Sequence, residues 1–164
     1  MNNHTIIILA YRLLVFACTA GFAAYDLRTR RVPDQALLLF CPVALAAPFL
    51  TCMQADALTA LPPALLSSLT GAAAGFLILL AAALFSKNGA GVGGGDIKLA
   101  AAMGFSYGSS CMINILLIAS GLAAIASLII ARQKRNGDRQ KSLSLPFVPF
   151  LAIGSLTVTL SEFI

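Results

Sequence analysis

"GVGGGDIKLAAAMG", residues 91–104, sets an aspartate and a lysine behind four glycines and directly before a run of alanine, leucine and methionine. A charged pair at the mouth of an apolar run marks the edge of a medium in which charge is expensive. The whole chain supports that reading. Of its 164 residues, 59% are hydrophobic and 10% charged, and the mean hydropathy is +0.91. A soluble domain carries about 25% charged residues, so these charges are too few to cover a water-facing surface. The composition predicts an all-α integral membrane protein in which polar residues mark boundaries. No soluble domain fits between the apolar stretches, which leaves one polytopic domain over residues 1–164.

Crossing the hydrocarbon core takes about 20 helical residues. Six segments qualify, near Thr5–Ala24, Asp34–Leu50, Pro63–Phe85, Ile97–Gly108, Ser110–Ala131 and Pro146–Phe163. The fourth is short and holds Gly104, which fits a partial or tilted crossing. Short cytoplasmic loops are enriched in Lys and Arg. The connections "DLRTRRVPD", "SKNGAGVGGGDIK" and "RQKRNGDRQK" are basic, whereas "TCMQADALTALP" has neither Lys nor Arg. The loops holding Asp26 and Asp96 are therefore expected on the cytoplasmic side of the inner membrane, with both termini outside. Arg12, alone among the 11 basic residues, lies well inside a segment, about a third of the way along the first. It either snorkels along its own helix, the preferred reading, or turns inward to a polar partner. Gly71 and Gly75 give the third segment a small-xxx-small face, expected to pack within the chain.

The N-terminal segment has no basic stretch before it and is longer than the apolar part of a signal peptide, so it reads as a retained span. Cys18, Cys41, Cys52 and Cys111 form no Cys-x-x-Cys pair, and His4 is the single histidine. No zinc ligand set is expected.

The acidic residues number six. Asp56, Asp138 and Glu162 read as loop or terminal charges, which leaves Asp26, Asp34 and Asp96 at the expected cytoplasmic helix ends. Asp96 alone could be a helix N-cap, but a cap does not explain "GVGGG", whereas close approach of another backbone does. Asp26 alone could be an interfacial charge offset by Arg28, Arg30 or Arg31. Together, Asp26 and Asp96 emerge from distant parts of the chain on one side and at one depth. Two carboxyl groups held close share a proton, so that one can act as base toward water and the other as acid toward a carbonyl. That chemistry is aspartic peptide hydrolysis and calls for no metal or cofactor.

"YDLRTRRVPDQALLL" resembles the first aspartate motif of the type IV prepilin peptidases, "GGGDIKLAAAMG" their Gly-x-Gly-Asp motif, and "KSLSLPFVPFLAIG" is similar to their C-terminal Pro-x-x-Pro segment. The resemblance runs from about Gly21 to Gly154 in the family's order. It implies a membrane aspartyl endopeptidase that removes leader peptides from prepilins or pseudopilins at the cytoplasmic face. Asp26 and Asp96 take the catalytic places, and Gly94, Gly95 and Lys98 shape the site. The implied partners are the precursor and membrane lipids, with no nucleic acid; the oligomeric state is open. Pro33 fits helix position N1.

Two departures qualify the resemblance. Asp34 stands where the family usually has Asn, so it either adds a third carboxylate beside the pair or caps the second segment. The chain also lacks the cysteine-rich cytoplasmic insertion of longer members, which implies a peptidase without N-methyltransferase activity, similar to short forms serving Flp/Tad-type pili or archaeal preflagellins. Two alternatives stand beside this one. A presenilin or signal-peptide-peptidase type protease shares Tyr-Asp and Gly-x-Gly-Asp, but here Pro-Ala-Leu at 63–65 precedes Asp96 instead of following it. A small transporter with an aspartate relay would place carboxylates nearer the midplane.

Overall fold

The computed structural model describes residues 3–29, 33–54, 60–85, 93–134 and 146–162. They form α1 (Asn3–Thr29), α2 (Asp34–Leu45), α3 (Ala47–Gln54), α4 (Leu61–Phe85), α5 (Gly94–Lys134) and α6 (Val148–Ser161). No strand occurs among the described residues. Four stretches are long and apolar enough to cross a membrane, Thr5–Thr29, Asp34–Cys52, Leu61–Phe85 and Gly94–Ile130, with Val148–Ser161 a shorter apolar helix. The protein is an all-α, multi-pass membrane protein. Its outward side chains suit lipid: Leu38, Leu39, Leu84 and Phe85 are among the most exposed residues. The connections at 30–32, 55–59, 86–92 and 135–145, with most of the basic residues and with Asp56 and Asp138, lie outside the described residues.

The second stretch is interrupted between α2 and α3. Pro48 has no N–H to offer the carbonyl four residues back, and the Ala46 N–H tightens onto the Val43 carbonyl at 3.3 Å. The Tyr11 hydroxyl donates to the same carbonyl at 3.0 Å, tying α1 to the bend.

A straight helix of 41 residues would be about 60 Å long, twice the hydrocarbon thickness. α5 avoids this at Gly108, where φ is 77° and ψ 174°. A Cβ on Gly75 would lie 2.4 Å from the Ala100 carbonyl oxygen and 3.0 Å from Met112 Cε. Residues 100 and 112 of a straight helix stand about 18 Å apart along its axis, so both can meet one glycine only if the chain folds back between them. The two arms, 94–107 and 109–134, correspond to the separate fourth and fifth segments read from the sequence.

The small-residue face of α4 packs within the chain, as expected. A Cβ on Gly71 would lie 2.2 Å from the Gly104 carbonyl oxygen, and one on Gly104 2.1 Å from that of Gly71. Backbone touches backbone at this crossing. On the other side of the core, α1 and α6 run antiparallel, with the Val148 amide against Asp26 and Glu162 against Arg12. Between these layers, Leu99, Met103, Met112, Ile115, Val148 and Leu151 are fully buried. Buried hydroxyls bond their own helices, as Thr19 does to the Phe16 carbonyl and Ser155 to that of Ala152.

Arg12 corrects the preferred sequence reading. It does not snorkel along α1 but forms an ion pair with Glu162 at the end of α6, its guanidinium 5.6 Å from the Tyr107 ring centroid. A guanidinium in an apolar bundle gains more from a carboxylate and a ring face than from an extended path along lipid. Glu162, set aside as a terminal charge, is that partner and also accepts from Cys111 Sγ at 2.9 Å.

Candidate active site

The site lies at the end of the bundle opposite the Arg12–Glu162 pair. Asp26 is in the last turn of α1 and Asp96 in the first turn of α5, 70 residues apart in sequence. Both are buried, at 4% and 8% relative exposure, and the charge of Asp26 bears on Asp96. Burying two carboxyl groups side by side is costly unless the pair holds a proton. Packing against α6 brings α1 to this point, and the glycine crossing with α4 sets the position of α5.

Local sequence accounts for how each acid is held. Gly93 precedes α5, and its carbonyl accepts from the Asp96 N–H at 3.0 Å. The Asp96 side chain reaches back to accept from the Gly93 N–H at 3.4 Å. This is the arrangement of a capping box, with Asp96 at the third helical position and not at the N-cap as the simplest reading had it. A Cβ on Gly93 would sit 3.7 Å from the Asp96 carboxylate, whereas one on Gly94 would meet nothing within 4 Å. The space beside Gly94 is therefore unoccupied. Gly95 follows it in the same turn, half-buried. Asp26 is addressed by the backbone N–H of Val148, in the first turn of α6. Among the described residues no donor reaches Asp26 Oδ2.

Lys98 and Asp34 do not join the acidic pair directly. Lys98 Nζ donates to Asp34 Oδ1 at 2.8 Å, linking α5 to the first turn of α2, with both side chains more than half exposed. Asp34 is therefore an ion-pair partner and makes no capping bond; the N-cap of α2 is Pro33, with φ −72° and ψ 126°, one position before the N1 place expected for it. Among the described residues, no three His, Cys, Asp or Glu side chains gather as a metal-ligand set.

Sequence reasoning missed three features near this end. The Val148 amide was visible only as part of "LPFVPF". The edge-to-face pair of Phe22 and Phe40, with ring centroids 6.0 Å apart, and the groove it floors needed the packing of α1 on α2. No sequence signal pairs Lys98 with Asp34, although their opposite charges at the same expected depth were a hint.

Fold and site together define a helical membrane protein with a buried carboxyl pair at one end of its bundle. Residues 13–128 match the type IV leader peptidase family, and the chain belongs to that family. It is similar to the prepilin leader peptidase/N-methyltransferase of Bacillus subtilis (strain 168), at 32% identity over 134 residues, which cover 82% of this chain and 48% of that protein. The chain thus spans about half the length of the curated relative it matches. No solved structure matches it.

Proposed function

We propose that this protein is an aspartyl endopeptidase that removes the leader peptide from type IV prepilins or pseudopilins, of the Flp/Tad-like kind, at the cytoplasmic face of the inner membrane. The observation that carries the proposal is the buried, electrostatically interacting pair of Asp26 and Asp96, contributed by two helices of a leader-peptidase-family chain.

The chemistry follows from a pair that holds one proton. The ionised carboxylate takes a proton from water as the hydroxide forms a bond to the scissile carbonyl carbon. The protonated partner gives its proton to the carbonyl oxygen, leaving a neutral gem-diol. The carboxyl group now protonated gives its proton to the amide nitrogen as the C–N bond breaks, while the ionised one takes a hydroxyl proton from the collapsing gem-diol, and the pair returns to its starting charge. The glycines before Asp96 suit the close approach of an extended substrate backbone. Extension matters, because a helical amide is shielded by its own hydrogen bonds. Lys98 and Asp34 brace α5 against α2 beside the pair.

In the membrane, reversal at Gly108 makes six passes of the described helices, with both termini outside and the acidic pair facing the cytoplasm. The basic connections support that orientation. The 164 residues hold no Cys-x-x-Cys pair, which supports cleavage without methylation of the new N-terminus. The test is co-expression with candidate prepilins. Asp26→Asn and Asp96→Asn are expected to remain in the membrane and leave the precursor uncut, while the wild type yields a mature pilin with an unmethylated amine by mass spectrometry. Normal processing by either variant would remove the dyad from the mechanism.

A further inference from the structure

The two helices that carry the acids differ in what their backbones can give them. Asp96 is in the first turn of α5, where helix N–H groups are unspent, and it takes a donor from its own near neighbour, Gly93, at 3.4 Å. Asp26 is in the last turn of α1. There a helix presents carbonyl oxygens, and its N–H groups are already spent on the preceding turn. α1 therefore has no backbone donor for its own buried carboxylate.

α6 supplies what α1 lacks. It begins in "PFVPF", residues 146–150, with Phe147 as N-cap and Val148 at the first helical position. Of the first four helical residues, Pro149 has no N–H, and those of Phe150 and Leu151 both turn to the Phe147 carbonyl, at 3.1 and 3.3 Å. That leaves the N–H of Val148, a fully buried residue, and a buried N–H is nearly always paired. It is the one that addresses Asp26. Asp26 Oδ2 has no donor among the described residues, so the amide reaches the other oxygen. The far ends of α1 and α6 keep this contact in register. Arg12 lies 14 residues before Asp26 and Glu162 14 residues after Val148, about 21 Å along each helix, and these two form the ion pair. Antiparallel helices fastened at equal spans cannot slide by one residue without loosening both ends.

We propose that the first turn of α6 is part of the active site, with the Val148 N–H as the positioning donor that fixes the Asp26 carboxylate and leaves Oδ2 free for the reacting water. The proposal rests on the peptidase reading. Val148 touches no substrate and acts through Asp26: a carboxylate free to swing about its side-chain bonds loses the geometry that proton transfer needs, and one backbone donor removes that freedom. The Pro-x-x-Pro segment, Pro146–Pro149, thereby acquires a physical role. Its second proline withholds a competing N–H, so the turn offers Asp26 a single donor.

The test exchanges one group in the full chain. Replacing Val148 by its α-hydroxy acid turns the amide between 147 and 148 into an ester, which removes the N–H and keeps the side chain; Val148→Ala does the converse. The ester is expected to lose about tenfold or more in kcat for prepilin cleavage, the scale of a hydrogen bond to a charged group, with KM little changed. Val148→Ala, which empties a fully buried site, is expected to melt lower but to lose less kcat than the ester. Val148→Pro removes the same N–H at a helix position that accommodates proline, and should lose kcat as the ester does. An ester at Phe150, whose N–H stays within α6, should turn over like the wild type. A purely structural role for Val148 predicts instead that kcat falls in step with the melting temperature across these variants. That pattern, or wild-type kcat in the Val148 ester, would overturn the proposal while leaving the peptidase reading intact. A wild type that cuts no precursor overturns the peptidase reading and the positioning role with it.

Discussion

Gly71→Ala tests whether the α4–α5 crossing sets the active-site geometry. A Cβ at position 71 would lie 2.2 Å from the Gly104 carbonyl oxygen and 2.6 Å from the Gly108 carbonyl carbon, and real Cβ contacts essentially never fall below 3.0 Å. Both obstacles are backbone atoms, so no rotamer change relieves them, and the helices must part by about 0.8 Å. The helix end that moves carries Asp96, two turns from Gly104. Overpacking of this size costs about 1–3 kcal/mol of stability, and a reacting group misplaced by about 1 Å loses on the order of 100-fold in rate. The expected result is a lower melting temperature in detergent, together with a fall in kcat of about tenfold to 100-fold for prepilin cleavage. Gly75→Ala, where the obstacle is the Ala100 carbonyl oxygen at 2.4 Å, should destabilise somewhat less. Gly121→Ala meets nothing and should be stabilising by about 0.5–1 kcal/mol from helix propensity. If Gly71→Ala melts and turns over like the wild type, the close crossing is not what positions Asp96.

Three further outcomes follow from the same structure. Gly108→Ala puts a Cβ at φ 77° and 2.8 Å from Ser67 Oγ; it should cost about 1–2 kcal/mol for the backbone alone, read as a lower melting temperature, and unchanged melting would argue against the turn. Arg12→Met leaves Glu162 without its cation, and because Glu162 is about one-third exposed the loss is discounted to about 1–2 kcal/mol. The double variant Arg12→Met/Glu162→Gln should recover most of it, and failure to recover would mean the arginine acts through packing rather than charge. Asp34→Asn removes the charge of an exposed pair and should change stability by less than about 1 kcal/mol; a larger drop in the melting transition would show that the link to Lys98 holds α2 in place.

Much of this protein was legible in the order of its residues because lipid penalises a misplaced charge wherever it occurs. The apolar segments, the candidate acids and the separation of the chain around 108–110 all follow from local composition, and the helices found match them closely. The glycine face of α4 was legible for a related reason, since small residues at that spacing serve to let backbones approach. Asp26 and Asp96 stood out because few acids were available and two shared an expected depth.

Contacts between helices were another matter. Arg12 had two acceptable solutions, and α6 had to arrive antiparallel to α1 before Glu162 could be its partner. Asp34 could have capped α2 or crowded the acidic pair; the position of α5 gave it Lys98 instead. The groove between α1 and α2 exists because the two helices meet through Phe22 and Phe40 and leave Gly21 uncovered. Transfer into lipid is a property of each residue, so the sequence alone determined which stretches are buried in the membrane and which groups resist it. Partner choice depends on how helices dock, and that was decided only by the tertiary structure.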